Sequence, residues 1–385
     1  MIKLLHTADW HIGKMFFGRS MTEDQEYFFD NYFFPALERL GFGQNDCVVV
    51  AGDIFDRAVP PVQAIELFDR VITRVSGMGI RLFAVTGNHD GAARLSMGAK
   101  LMRSAGVYIY TSLGDTAESL VLDDGGTRVV LHPLPHFDAT EGRYFLGDGD
   151  ASGYADIFGR IATGIDVSGS GLHVLVAHCT AFGDDASEQD VRAVGGADAV
   201  PLSCFGPFGL TLLGHFHRDI AFDGLSGYCG SPLGYSFDSA NTVRSMRYYE
   251  IDGDRVTMTK IPVDRPLHPL VTLTDSFERL MSDEVPGSDA FIYARLTDSA
   301  LVFEPMFRLR HKFPNILGLC YVSEDTVSFS SEGRERLRDS LRSRTVADED
   351  VFRAFLSQAC GCEPTAEELS FFERLCRLAD RPDVQ

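Results

Sequence analysis

An amide carbonyl, an imidazole and a carboxylate follow one another at Asn88-His89-Asp90, directly after Gly87. Side chains of these types can ligate a cation, carry a proton and orient a neighbour. Gly87 lets the backbone turn sharply and approach a ligand closely. Alone, the four residues fit an ordinary polar turn equally well. Related groups recur along the chain. Asp9 and His11 stand two apart, Asp53 and Asp56 follow Gly52, His178 stands alone, and His215 and His217 are again two apart. Each has a plain reading of its own, a polar loop with a chance Asp and His, or two surface imidazoles in a turn.

Their shared position separates them from chance. Each follows an apolar run that reads as a buried strand: residues 2–6, 47–51, 81–86, 172–177 and 210–213. Helical patterns lie between the early strands. The first opens at Thr22, with Thr22 and Gln25 at capping-box spacing. Its apolar side is Tyr27, Phe28, Phe33, Phe34, Leu37 and Leu40, and Pro35 predicts a kink. The second follows Pro60-Pro61 and runs to about Met78. Alternating strands and helices predict an α/β layered fold with helices on the sheet faces. In such sheets functional groups sit at the carboxyl ends of strands.

Seven N and O donors therefore gather at five strand ends: Asp9, His11, Asp53, Asn88, His178, His215 and His217. They suffice for two first-row divalent metals, and Asp53 can bridge them. Imidazole and carboxylate donors suit manganese, iron or zinc, and the lack of thiolates weighs against a closed structural zinc site. Two ions about 3.5–4 Å apart favour phosphoester hydrolysis by in-line attack. His89 is left over; it could contact the scissile phosphate or protonate the leaving oxygen. Asp90 or Asp56 could orient it, or orient a ligand.

The 385 residues are enough for two or three domains. Eight scattered cysteines, with Cys360 and Cys362 too close for a zinc knuckle, read as reduced thiols of a cytoplasmic protein. There is no signal-peptide pattern and no apolar run of membrane-spanning length. The net charge of −20 argues against a free-standing nucleic-acid binder. It does not exclude a nuclease, because carboxylates that hold metals are neutralised by them, and a basic partner can supply positive surface.

Farther along, strands are expected at 107–110, 119–122 and 128–132, with His132 and His136 as structural or surface residues. Residues 137–170 read as a loop and helix over the active face, and 183–198 as an acidic segment. A hairpin is expected at 244–261. From about Pro266 the pattern becomes that of a small α+β domain, with strands at 271–273, 291–296 and 317–322 and helices at 277–281 and 301–310. A polar linker and two terminal helices follow. The apolar stripe of the last helix, from Thr365 to Leu378, on periodicity alone predicts a locally docked lid.

The series D-x-H, G-D-x-x-D, G-N-H-D, a lone His after a strand, and G-H-F-H, in that order, resembles the calcineurin-like metallophosphoesterases. The opening Leu5-His6-Thr7-Ala8-Asp9-Trp10-His11-Ile12-Gly13, and later Tyr228-Cys229-Gly230-Ser231-Pro232 with Ser236-Phe237-Asp238, are similar more narrowly to the bacterial nuclease branch of that family. The likeness is close over about residues 1–265 and weaker beyond. It implies a layered sandwich of sheets flanked by helices, with two Mn2+ ions. Asp9, His11, Asp53 and His217 would hold one ion, and Asp53, Asn88, His178 and His215 the other, with His89 catalytic. It further implies a DNA nuclease, an exonuclease on double-stranded ends and an endonuclease on single strands or hairpins. Its expected setting is DNA repair, recombination and replication, in a heterotetramer of a nuclease homodimer with an SMC-like coiled-coil ATPase. The implied divisions are 1–265 for the nuclease domain, 266–328 for an α+β capping domain that touches DNA, 329–347 for a linker, and 348–385 for a helical segment that binds the ATPase. The last assignment replaces the local-lid reading of the terminal stripe. Two other readings share the pattern. One is a phosphoesterase for small phosphoesters or phosphoproteins. The other is a non-catalytic scaffold, against which stands the filling of all seven donor positions.

Overall fold

The computed structural model of the chain describes residues 1–149, 151, 153–183, 198–240 and 242–322, together with Thr365, Leu369 and Phe372. The interior of the acidic segment, the linker and, apart from those three residues, the terminal helices expected after 348 lie outside the described residues.

The strands are β1 (Ile2–Thr7), β2 (Cys47–Ala51), β3 (Arg81–Val85), β4 (Val107–Tyr110), β5 (Leu120–Asp123), β6 (Arg128–Leu134), β7 (Leu172–His178), β8 (Leu210–Gly214), β9 (Ile220–Ala221), β10 (Gly227–Tyr228), β11 (Arg244–Asp252) and β12 (Arg255–Val263). They form two six-stranded sheets. The first has the order β12-β11-β1-β2-β3-β4 and the second β9-β10-β8-β7-β6-β5. The central strands β1 to β4 run parallel, as do β6, β7 and β8, so their carboxyl ends emerge on one edge of each sheet.

Strand alternation explains why these runs are apolar throughout. In β2, Cys47, Val49 and Ala51 face the space between the sheets, together with Leu4, Phe83, Val174 and Leu212. Val48 and Val50 face the other way, into a second core with Phe28, Phe33, Leu67 and Val71. In β7, Leu175 and Ala177 face a third core with Ile157, Phe158 and Ile161. The result is helix, sheet, sheet, helix, which is the layered sandwich the sequence predicts.

The helices on the first sheet are Thr22–Phe28, Phe34–Arg39 and Val62–Gly77. Between the first two lies a π-helical turn, Phe29–Phe33. Pro35 cannot donate a backbone hydrogen bond, and the wider turn immediately before it absorbs the break. The expected capping box is not formed. Met21 is the N-cap with no side-chain bond, and Gln25 is buried and engaged elsewhere. On the second sheet, residues 137–170 give two helices, Ala139–Leu146 and Tyr154–Thr163. Asp138 caps the first through Thr140 and Glu141.

Two imidazoles in this frame make stability sensitive to acid. His132 is buried, stacks on His173 and shares a 2.9 Å Nε2···Nδ1 hydrogen bond with it. Burial, then His173, pushes the His132 pKa down to about 4. Burial, then Arg247, pushes His6 down to about 3. The unfolded chain takes up both protons below about pH 6.5, whereas the native protein refuses them until near pH 4 or lower. The unfolded state thus binds more protons in that window, and stability is expected to fall as the pH drops from 6.5 towards 4. A series of melting temperatures from pH 7 to 4.5 reads this, and His132→Leu should flatten the slope. An unchanged slope in that variant would place the acid sensitivity elsewhere.

The chain divides into two compact units. The first comprises Met1–Thr272, Gly287–Tyr293 and Arg310–Gly318; the described part of the second comprises Leu273–Pro286 and Ala294–Leu309, and continues from Leu319. Strands β13 (Leu270–Asp275), β14 (Phe291–Leu296) and β15 (Ile316–Tyr321) form a sheet in that order. Within the second unit, Ser276 caps the helix Phe277–Met281, Asp298 accepts the Phe277 amide at 2.7 Å, and Arg308 stacks on the Phe277 ring. The helix expected from Leu301 begins at Pro305, a residue suited to the first helical turn. No helix among the described residues is long and apolar enough to cross a membrane.

Candidate metal centre

Three strand ends of the first sheet and two of the second deliver the donors. Asp9 and His11 follow β1, Asp53 follows β2 and Asn88 follows β3. His178 ends β7, and His215 and His217 follow β8. The two loops after β1 and β2 run side by side: Asp9 N donates to Gly52 O, His11 N to Asp53 O and Ile12 N to Ile54 O, at 2.9–3.0 Å. Gln25, from the helix that follows, completes this support. Its amide donates to His11 O at 2.7 Å and its carbonyl accepts from Gly13 N at 3.0 Å. Tyr235 adds a bond from its hydroxyl to Trp10 O.

The backbone is strained where the donors sit. Asp9, His11, Asp53 and His215 have φ of 52°, 45°, 50° and 111°. These are four of only six non-glycine residues with positive φ among the described residues. Each such residue costs about 1–3 kcal/mol, so their concentration here marks a place where geometry overrides local preference. Crowding is equally local. A Cβ on Gly87 would lie 2.2 Å from Asp53 Oδ1, so only glycine lets the two loops meet.

All seven donors lie in one cluster. The ligand atoms of Asp9, His11 and His217 fall within 4.8 Å of one another, as do those of Asp9, Asp53 and His178. His11 Nε2 faces His217 Nε2 at 3.0 Å. Asn88 Oδ1 lies 3.0 Å from His178 Nε2 and 3.2 Å from His215 Nδ1. Asp53 sits at the centre. Its Oδ2 is 3.5 Å from His11 Nε2 and 3.4 Å from His178 Nε2. Its Oδ1 accepts the His89 amide at 2.9 Å. Asp9 accepts the His215 amide at 3.0 Å, which ties the two sheets together at the site. His178 Nδ1 bonds the Ala51 carbonyl at 2.9 Å, which orients the ring with Nε2 turned to the cluster.

Three imidazoles and one carboxylate are held in the form that binds a cation, whereas His178 and Asp9 are shifted towards their protonated forms, whose protons a bound cation would displace. Burial pushes His11 down to about 2, and His215 and His217 down to about 4, so all three present neutral imidazoles. Burial would raise Asp53, but His178 beside it outweighs burial and holds it well below the usual carboxylate range. Reciprocally, burial disfavours the His178 proton while Asp53 retains it, leaving the pKa raised to about 9. Burial raises Asp9 well above its usual value. Lone pairs of neutral imidazoles, carboxylates and an amide oxygen converging on one point form a donor set for divalent cations, without thiolate.

The remaining residues predicted from sequence stand around this cluster. His89 is exposed, its Nδ1 lies 2.9 Å from the Asp56 carbonyl, and its ring packs edge-on at 4.8 Å from His11. The Asp56 carboxylate pairs with Lys14 at 2.7 Å and lies 3.5 Å from His11 Nδ1. Asp90 turns away from His89 and accepts three backbone amides, Ile54 at 3.1 Å, Phe55 at 2.8 Å and Gly87 at 2.9 Å. It pins the loop after β3 to the loop after β2. Asp90→Ala is expected to leave three donors unmatched and to destabilise the protein by roughly 2 kcal/mol or more. Thermal melts would show this, with Asp90→Asn partly restored.

Lys14, Gln25, Tyr235 and His136 were not legible as site residues. His136 N donates to Thr86 O at 2.9 Å, and its ring stands 6.3 Å from that of His178. It too follows a strand of the second sheet, so its position after β6 was the available signal.

A fold of two sheets with such donors at adjoining strand ends has known counterparts. The calcineurin-like phosphoesterase family matches residues 2–219, more than half of the chain. The chain belongs to this family, and is a phosphoesterase by class. Over 381 residues, 97% of each chain, it is 26% identical to the D subunit of the nuclease SbcCD from Staphylococcus saprophyticus. It is 27% identical over 334 residues to the corresponding SbcCD nuclease protein of Staphylococcus epidermidis, covering 84% of this chain and 86% of that one.

Proposed function

We propose that this protein is a two-metal DNA nuclease, the nuclease component of an SbcCD-type complex. The observation that carries the reading is Asp53 Oδ2, placed between His11 and His178, with further donors on either side. Asp9, His11, Asp53 and His217 would hold one ion, and Asp53, Asn88, His178 and His215 the other; Mn2+ suits this hard, imidazole-rich set. Bound ions would neutralise phosphoryl charge and lower the pKa of water. The chain's own groups do the rest. Asn88 and His89 project at the exposed rim, where a phosphodiester arrives. His89, held through its amide by Asp53 and through Nδ1 by the Asp56 carbonyl, keeps Nε2 for the substrate. There it contacts the scissile phosphate and donates a proton to the departing oxygen.

The same reading assigns residues 266–328 to a cap over DNA and 348–385 to a segment that binds an SbcC-type ATPase. It also includes a homodimer. Val59, Val62, Ile65, Met97 and Leu101 are exposed apolar side chains that self-association could cover.

The test is direct. With Mn2+ the purified chain and its complex with the ATPase should cleave linear duplex, single-stranded and hairpin DNA, and a chelator should stop this reversibly. Turnover of a small chromogenic phosphodiester without any cleavage of DNA would instead indicate a small-molecule phosphoesterase.

A further inference from the structure

An open cleft of about 990 Å³ adjoins the metal centre. Asn88 and His136, beside the donor cluster, line it, together with Thr111, Ser112, and Tyr144 and Phe145 of the helix Ala139–Leu146. Tyr144 is 90% exposed and Phe145 45% exposed, so both rings are open to a guest.

Three features decide what the cleft can hold. No Lys or Arg is among its described lining residues, so it does not track a phosphate backbone. Its carboxylates are already used. Asp138 accepts from Thr140 and Glu141, Glu141 accepts from Asp138, and Asp90 accepts three loop amides. They therefore offer little to a cationic guest. What remains is hydroxyls, an imidazole and two aromatic faces, in a volume at the upper end of that used for small organic groups. This is the chemistry of a nucleobase. Aromatic side chains stack on bases of any sequence, because every base presents a π-face.

We propose that this cleft seats the unpaired nucleobases next to the scissile phosphate, with Tyr144 and Phe145 as a stacking platform. The proposal rests on the nuclease reading and deepens it. Asn88 lines the cleft and also belongs to the donor cluster, so the cleft opens onto the place where the phosphate would bind. A fully paired duplex keeps its bases stacked internally and does not fill the cleft. The platform therefore serves single strands, loops and hairpin tips. Tyr144 and Phe145 are positioning residues, since neither touches the donors.

Steady-state cleavage of a single-stranded oligonucleotide tests this with Tyr144→Ala, Phe145→Ala and the double variant, alongside a small chromogenic phosphodiester. The expected result is a KM for the oligonucleotide raised on the order of tenfold per lost ring, with kcat little changed. Small-diester turnover should stay at the wild-type level, and Tyr144→Phe should restore binding. An oligonucleotide lacking the bases beside the cut should bind wild-type protein as weakly as the intact one binds the double variant. A wild-type KM in the double variant, or equal binding of the base-free oligonucleotide, would overturn the platform and leave the nuclease reading standing. Wild-type protein that turns over the small diester but cuts no DNA would overturn the nuclease reading, and the platform with it.

Discussion

Asp53→Ala is expected to abolish hydrolysis, with a loss on the order of 10⁴ or more in kcat, as when residues that act as a unit lose their centre. One oxygen of Asp53 stands between His11 and His178, and the other holds the His89 amide. The substitution thus removes the bridge between both proposed ions and the anchor of the proposed proton donor. The fold should survive. The loop after β2 is held by backbone bonds, including that from His11 N to Asp53 O, which alanine keeps. Elemental analysis of the purified variant should find neither ion at full occupancy, beside a far-ultraviolet spectrum like that of the wild type. Two metals per chain in a folded Asp53→Ala protein would remove Asp53 from the bridging position.

Replacing His89 with Asn or Ala should have a different signature. The seven other groups supply both proposed ions, and the His89 ring is tethered to a carbonyl, Asp56 O, at 2.9 Å. Metal content should therefore stay near two, and DNA binding by the complex should change little. The cleavage rate should fall by about 10²–10⁴, the usual worth of a positioned proton donor. Metal content, melting temperature and single-turnover cleavage measured on one preparation separate the possibilities. A purely structural His89 would give a less stable protein with a normal rate per folded molecule. Loss of a metal would make it a ligand.

Much of the layered domain was legible because its strands are buried on both faces. Cys47–Ala51 and Val107–Tyr110 match the expected strands residue for residue, and β1, β3, β7 and β8 differ by one residue at an end. The Asp, Asn and His residues that the fold brings together were visible as polar residues placed where apolar runs stop. What the pattern could not carry was long-range use of ordinary residues. Gln25 has the spacing of a helix cap, yet its amide serves a loop 14 residues earlier. Tyr235 supports the Trp10 carbonyl across 225 residues. Asp90 looks like a partner for its neighbour His89, but its carboxylate takes amides from Ile54, Phe55 and Gly87 instead. Such choices are made by tertiary geometry, and local spacing does not encode them.

The division of the proposed ligands between two sheets also orders events in time. Asn88 from the first sheet and His215 from the second touch across 127 residues of chain. A ribosome adding about 5–20 residues per second takes on the order of ten seconds to make that stretch. Until residue 178 is added a newborn chain owns Asp9, His11, Asp53 and Asn88 but none of His178, His215 and His217, and until residue 215 it still lacks the last two. A polypeptide released early, or one whose second sheet has not yet docked, holds an incomplete set of the proposed ligands. On the nuclease reading, a half-made copy therefore lacks ligands of both proposed ions.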